Sequence, residues 1–579
     1  MSAFLNVTTS LTGRRWVGPT PEADRLAEGM AQATRLPMAL CRTLVARGVA
    51  SADAHRFLAP QLRDLLPDPL SLRDMGAAAD RLIAALNGRQ SVAVFGDYDV
   101  DGGASSALLL VWLRAMGQRA TLYIPDRIDE GYGPNVAAMA ALARDHDLIL
   151  TVDCGTLSHD AIAAAQGADV VVLDHHLGGP TLPPALAVVN PNRQDEDGSL
   201  SHLCAASVVF LLLVEVTRRL RVAGVAGPDL MGLLDLVALA TVADVAPLVG
   251  VNRALVRQGL VVMARRERPG LVALADVARM DQAPNTHALG FLLGPRINAG
   301  GRVGRADLGA RLLSTQDPAE ARSLADRLDA LNTERREVEA RVRDVALAQA
   351  AARGFDAPLV WAAGAGWHPG VVGIVAARLK EAANRPAVVI GIEDGIGKGS
   401  ARSVNGVDLG AAVAQLAAEG LLIKGGGHRM AAGLTVQEDR IEPAMARLSD
   451  LLARQGAGAG GPADLRIDGL LAPQAATLAL VEQIEAAGPF GASAPAPRFA
   501  FADQRLTTRR IGESHLRLSF GDDVGARIEG VAFGAFDGPL GPALETPGLA
   551  RFHLAGRLEV NTWNGRTKVQ LRLEDAERA

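Results

Sequence analysis

Between about residues 25 and 90, apolar positions recur at helical spacing, broken by LAPQLRDLLPDPLSL. At SVAVFGDYDVDGGASSALLLVWLRAMG the pattern changes to an apolar run, a polar turn and a second apolar stretch. That succession predicts strand, turn and helix, and starts an α/β domain near Gln90. Two further β-rich runs, DLILTVDCG and ADVVVLDHH, each follow a helix-like segment and end in a polar cluster, the rhythm of a parallel sheet. From about Leu308 to Ala352 the chain has no proline but Pro318 and is dense in Ala, Arg, Glu and Leu, which predicts a helical connector. After Gly354, WAAGAGWHPGVVGIVAARLK, PAVVIGIEDGIGKGSARS and LIKGGGHRMAAG mix short strands with helices again, up to the flexible QGAGAGGPAD. Beyond Leu465, the alternating runs HLRLSF, ARIEGVAF, RFHLAGRLEV and KVQLRLED predict a small β-barrel.

The expected layout is an α/β protein in five parts: a helical region over 1–75, an α/β domain over 76–305, a connecting helix over 306–354, a second α/β domain over 355–455 and a barrel over 465–579. A length of 579 residues, 49% of them hydrophobic, agrees with several cores rather than one. The net charge of −5 and the 4% aromatic content exclude a globally basic nucleic-acid binder, so any polyanion site has to be local. Cys41, Cys154 and Cys204 are far apart with no CxxC pair, which argues against a disulfide framework or structural zinc and points to a reducing cytoplasm. The N-terminal MSAFLNVTTSLTGRRW has the pattern of neither an export signal nor a membrane anchor.

In an open parallel sheet, ligands sit at the carboxyl ends of the strands, where Asp97–Asp101, Asp153 and Asp174–His176 all fall. Asp97, Asp99 and Asp101 alternate in DYDVDG; on an extended backbone their carboxylates would share one side and call for a hard cation. An EF-hand loop is disfavoured because its twelfth position is Leu108 where a bidentate Glu is required; a solvated acidic turn is the plainer alternative. Asp153 alone reads as a turn former, and in this company as a carboxylate able to bridge two metals roughly 4 Å apart. Adjacent His175 and His176 after an apolar run offer neutral nitrogens beside Asp174, which can orient them. On an extended backbone the two would face opposite ways, one to metal and one to substrate. Asp244 interrupts the apolar LVALATVADVAPLVG and is either a metal ligand or a helix cap.

GDYDVDG, VDCG, DHH and ATVADVAPL, in that order, resemble the four motifs of the DHH phosphoesterase superfamily. RVGRADLGARLL, WHPGVVGIVAARL, GKGSARS, GGGHRMAAG and ARGVASADAHRFLAP are similar to the RecJ exonuclease branch with its DHHA1 domain, so the likeness covers nearly the whole chain. It implies a DHH catalytic domain, a DHHA1 substrate-binding domain and a terminal OB-fold. The implied activity is 5′ to 3′ hydrolysis of single-stranded DNA to 5′-mononucleotides, in recombination and repair, using two divalent cations, Mn²⁺ or Mg²⁺. By the resemblance, Asp101, Asp153, His175 and Asp244 hold one cation, and Asp97, Asp99 and shared Asp153 the other, with His176 on the scissile phosphate.

Ser400 and Arg402 in GKGSARS suit a terminal phosphate, and Arg296, Arg302, His368 and His428 are expected to line the cleft between the α/β domains. Trp563, with Arg566 and Lys568, is a candidate stacking site on the barrel or part of its core. The implied partners are single-stranded DNA, single-strand-binding protein and a RecQ-like helicase, for a monomeric enzyme. The chain departs from the family pattern at Phe95, where some relatives carry histidine, and at Ser493-Ala494, where Gly-Asn is common. Those changes bear on one metal site and on the approach to the barrel. The rival readings are a phosphodiesterase for short oligonucleotides or cyclic dinucleotides, and an inactive replication scaffold.

Overall fold

The computed structural model describes residues 3–126, 130–458, 463–522, 525–563 and 566–579; the side chains of Trp563 and Arg566 also lie outside the described part. Five parallel strands form the first sheet, in the order Ala120–Tyr123, Val92–Gly96, Leu148–Val152, Asp169–Leu173, Ala187–Val189. Val92–Gly96 and Leu148–Val152 are buried along their whole length, because helices cover both faces, and so they read as continuous apolar runs. On one face Val94, Leu150 and Val171 pack with Val100–Ala115, Ala205–Val222 and Leu234–Ala243 in the largest core. On the other, Phe95, Ile149 and Val172 meet Val136–Asp145 and His159–Ala163. Phe95 therefore sits in that second core, stacked on Tyr123 with ring centroids 5.3 Å apart.

The strand after Val92–Gly96 is placed on one side of it and the next on the other. The chain order thus reverses between Val92–Gly96 and Leu148–Val152, which opens a crevice at their carboxyl ends. Asp97 and Asp153 are the residues that come directly after those two strands.

The expected connector is helical but in two pieces. Leu308–Ser314 packs into the first core, and after a break Pro318–Arg353 runs as one 36-residue helix, about 54 Å long at the usual rise. Asp317 caps it by accepting from Ala319 N, and Pro318 fits its first turn. Its first half buries Leu324, Leu328 and Leu331 in the first domain, and its second half buries Val342, Ala346 and Ala350 in the next. The helix is a spine with a buried stripe for each domain.

The second sheet has the order Lys424–His428, Ala431–Gln437, Ile396–Arg402, Ala387–Glu393, Val360–Ala365, parallel only between the last two. The C-terminal β domain is built on a seven-stranded sheet around Phe499, Phe501, Phe520 and Phe552. The N-terminal region, expected to be helical, also supplies a strand: Arg15–Val17 pairs in parallel with Asp464–Arg466. Trp16 Nε1 and Ser10 Oγ donate to buried Asp575 at 2.9 and 2.6 Å, so the start of the chain is stitched to the barrel. Among the described residues, no helix is long and apolar enough to cross a membrane.

Candidate metal centre

The strand before DYDVDG ends at Gly96, and Asp99 caps the helix Val100–Ala115 by accepting from Asp101 N at 2.9 Å and Gly102 N at 3.1 Å. Gly102 permits this tight turn, since a Cβ there would lie 2.5 Å from the Asp97 carbonyl oxygen. The three aspartates consequently do not form one extended row, as alternation alone suggests; the change from strand to helix divides them. Asp101, in the first helical turn, reaches the N-terminus of Ala205–Val222, where its oxygens accept from Ala205 N at 2.7 Å and Ala206 N at 2.8 Å.

The ligand atoms gather in sets, each lying within 4.8 Å of one another: Asp97, Asp99 and Asp153; Asp101, His175 and Asp244; and Asp153, His175 and His176. Asp153 belongs to two of these sets. Its backbone is left-handed, φ 61°, and buried Oδ1 lies 3.2 Å from His175 Nε2 while accepting no hydrogen bond.

The histidines also differ from the alternation argument. The strand ends at Leu173, so extended geometry does not continue through them; their ring centroids are 4.7 Å apart and both rings meet Asp153. Asp174 holds this arrangement. One of its oxygens accepts from Thr156 N at 3.1 Å and Thr156 Oγ1 at 2.7 Å, the other from His175 N at 2.8 Å, His176 N at 3.2 Å and His176 Nδ1 at 2.8 Å. Burial acts to raise the Asp174 carboxyl, but the bonds from His176 and Thr156 prevail and hold it well below the usual range. Burial disfavours the His176 cation, yet Asp174 outweighs this and brings the imidazolium up to about 9.

Several supporting residues escape the sequence reading. Asn190 Nδ2 donates to Thr156 Oγ1 and to the His176 carbonyl, both at 2.8 Å, and Asn192 Nδ2 donates to the His175 carbonyl at 2.6 Å. Tyr132 donates to the Asp153 carbonyl at 3.0 Å. Asn190 follows the strand Ala187–Val189 just as Asp97 and Asp153 follow theirs, but that strand is only three residues long and gives no sequence signal of its own.

Asp244 follows the last residue of the helix Leu234–Ala243. A carboxylate gains nothing from the negative end of a helix dipole, which rejects the capping explanation. Its Oδ2 lies 3.9 Å from His175 Nδ1. Burial first, then Asp101 and Asp99, push its carboxyl up to about 8; burial and neighbouring carboxylates raise Asp101 and Asp153 as well. Oxygen and imidazole donors crowded with unrelieved negative charge, including an Asp153 oxygen without a donor, fit divalent cations.

The expected substrate residues scatter more widely. Ser400, Arg402 and His428 lie on one face of the second sheet, since Arg402, Ala431 and His428 align across neighbouring strands. Arg402 Nη1 donates to Ser400 Oγ at 3.0 Å, and both side chains lie against Gly373 of the helix Pro369–Ala383. His368 caps that helix through Gly370 N, and Arg302 donates to the Gly370 carbonyl at 3.0 Å, which joins the two α/β domains. Arg296 turns to Asp329 of the spine at 2.8 Å and to the Leu292 carbonyl. The Trp563 strand pairs with Arg566–Arg578, but the tryptophan side chain lies outside the described residues.

Residues 91–241 match the DHH family N-terminal domain, 356–454 the DHHA1 domain and 467–575 the RecJ OB domain. The single-stranded-DNA-specific exonuclease RecJ of Dickeya dadantii is 39% identical over 98% of this chain and 99% of its own length. That of Escherichia coli is 36% identical over 96% and 98%. The crystal structure of RecJ in complex with Mn²⁺ from Thermus thermophilus is 31% identical and matches 97% of this chain and 79% of that one, with a TM-score of 0.80. The Mg²⁺ complex from the same organism matches with a TM-score of 0.73, at 30% identity over 97% and 78%.

Proposed function

Because the chain belongs to the RecJ family of single-stranded-DNA-specific exonucleases, we propose a division of labour among its residues for that reaction. The protein is a metal-dependent exonuclease that degrades single-stranded DNA 5′ to 3′ and releases 5′-mononucleotides, in recombination and repair. Its cofactors are divalent cations, Mn²⁺ or Mg²⁺.

Asp101, Asp153, His175 and Asp244 would hold one cation, and Asp97, Asp99 and Asp153 the other. What carries this assignment is the position of Asp153, whose ligand oxygens belong to both an all-carboxylate set and a histidine set. When bound, the cations supply Lewis acidity toward water and toward the phosphoryl oxygens of the scissile group. Asp174 fixes the ring of His176 and favours its charged form, and His176 meets the scissile phosphate. Arg402 and Ser400 take the terminal 5′-phosphate, which sets the direction of attack. Arg302, His368 and His428 guide the backbone between the α/β domains, the OB domain binds the strand behind the terminus, and Arg296 acts indirectly by fixing its helix to the spine.

The domain limits proposed are 1–75, 76–305, 306–354, 355–455 and 465–579. The enzyme works as a cytoplasmic monomer on ends exposed by a RecQ-like helicase and coated by single-strand-binding protein.

The test is Asp153→Asn, which keeps a residue tolerant of the left-handed backbone. Hydrolysis of end-labelled single-stranded DNA with Mn²⁺ should be abolished while the circular dichroism spectrum is unchanged. Near-normal turnover would reject the shared ligand. Comparing long strands with dinucleotides separates this enzyme from an oligonucleotide phosphodiesterase.

A further inference from the structure

A cavity of about 610 Å³ opens where three distant stretches meet: the N-terminal helices around Arg47 and Phe57, the start of Gly250–Ala264, and the chain leading from Arg466 to Arg498. None of its lining residues belongs to the carboxylate cluster. Arg47, Arg56, Arg253, Arg466 and Arg498 face three carboxylates, Asp53, Asp64 and Asp468. Asp53 is paired with Arg56 at 3.2 Å and Asp64 with Arg63 at 3.4 Å. Asp468 acts on Arg466, Arg498 and Arg47 at once, so its single charge is shared among three guanidiniums. Arg498 is paired with Glu574.

Arg47, Arg253 and Arg466 are left without a carboxylate at ion-pair distance among the described residues. Arg47 donates to the carbonyls of Ala487 and Pro495, and Arg253 to those of Phe57 and Ala486, which satisfies hydrogen bonds but supplies no negative charge. Burial brings both guanidiniums down to about 10, with Arg257 and Arg47 lowering Arg253 further. Arg253 is only 3% exposed, and its Nε has no acceptor. Desolvated like charges are costly until an anion joins them.

We infer that this cavity is a second ligand site, for a phosphate monoester of mononucleotide size, separate from the site of hydrolysis. Planar guanidiniums take phosphate oxygens in pairs. Leu65 and Val249 form an apolar wall for a base beside the Phe57 ring, which carries the Arg253 guanidinium 4.0 Å from its centroid, and the volume is that of an ordinary small-ligand pocket. Leu248 and Val249 closely follow Asp244 along the chain, across Val245 with its left-handed φ of 60°. The reaction's product is itself a 5′-mononucleotide, and the pocket is placed to sense it. That role rests on the exonuclease reading, whereas the binding does not.

Equilibrium dialysis of the full chain in excess EDTA, with 5′-dAMP, inorganic phosphate and deoxyadenosine as probes, tests the site without the catalytic cations. Saturable 5′-dAMP binding is expected, displaced by phosphate, with deoxyadenosine weaker by roughly tenfold or more. Arg466→Ala, at an exposed residue, should weaken 5′-dAMP by roughly tenfold without changing the melting temperature, and Arg47→Met should act in the same direction. No binding at millimolar 5′-dAMP, or binding that both variants leave intact, overturns the site. Displacement by an unphosphorylated oligonucleotide overturns the mononucleotide assignment in favour of a passing strand. A failed exonuclease reading looks different: no DNA hydrolysis with Mn²⁺, yet 5′-dAMP binding in EDTA.

Discussion

Replacing Asp174 with Asn keeps the shape of the side chain and removes its charge, in a place where every recorded partner is a donor. Thr156 N and Oγ1 donate to one oxygen, and His175 N, His176 N and His176 Nδ1 to the other. Whichever way the amide is turned, its NH₂ meets donors. The milder orientation points it at Thr156, whose hydroxyl can rotate but whose N–H cannot. Two charge-assisted hydrogen bonds are then lost or inverted, at about 1.5–3 kcal/mol each. The expected destabilisation is about 3–5 kcal/mol, the range found when a buried charged network loses one member.

The same change frees the His176 ring and the turn that carries His175, so metal affinity or turnover should fall about 10- to 100-fold. Urea unfolding in EDTA measures the first quantity without the contribution of bound metal. Mn²⁺ titration by calorimetry and initial rates on single-stranded DNA at saturating Mn²⁺ measure the second. Unfolding within about 0.5 kcal/mol of the parent, together with unchanged Mn²⁺ affinity and rate, would refute the claim that Asp174 organises both histidines.

Gly102→Ala places a methyl 2.5 Å from the Asp97 carbonyl oxygen; it should cost about 1–3 kcal/mol in denaturant unfolding and reduce Mn²⁺ affinity by displacing Asp97 or Asp99. Ser493 has φ 55°, a left-handed backbone that favours glycine, so Ser493→Gly should stabilise by up to about 1 kcal/mol, read from the shift of the urea midpoint. Arg402→Ala should slow digestion most on 5′-phosphorylated ends; equal loss on phosphorylated and hydroxyl ends would remove Arg402 from the terminal-phosphate site. Saturating Mn²⁺ should raise the melting temperature of the parent chain and not that of Asp153→Asn, because the gain comes from binding to the native state alone.

The sheet was legible because burial on both faces forces apolar runs, and because each run ends where a polar turn must leave the sheet. The edge strands Ala120–Tyr123 and Ala187–Val189 are short, and the first is only partly buried, so neither gave a comparable signal. Arg15–Val17 was invisible for a different reason. Three residues cannot show alternation, and its pairing partner lies hundreds of positions away, at Asp464–Arg466. Phe95 could not be weighed from the sequence either, since its effect depends on which sheet face it occupies; it packs on Tyr123 in the core away from Val100–Ala115.

At the site, the sequence identified the residues but misjudged how they converge. Alternation and opposite-facing neighbours both assume an extended backbone, and the strands stop one residue before the chemistry begins, at Gly96, Val152 and Leu173. Each strand gives way to a conformation of its own: a helix cap at Asp99, a left-handed Asp153, and a turn held by Asp174. Asp101 depends on the amides of Ala205 and Ala206, 104 and 105 positions away, a partnership that no local pattern encodes. Asp244 was visible only as an anomaly in an apolar run, and its meaning came from position, at the helix end where a carboxylate is least welcome. Left to themselves, these groups repel one another in a buried crevice. Helix amides hold Asp101, Thr156 holds Asp174 and asparagines hold the histidine carbonyls, and what those donors leave unmet, at Asp153 above all, is the net negative charge that a pair of cations would balance.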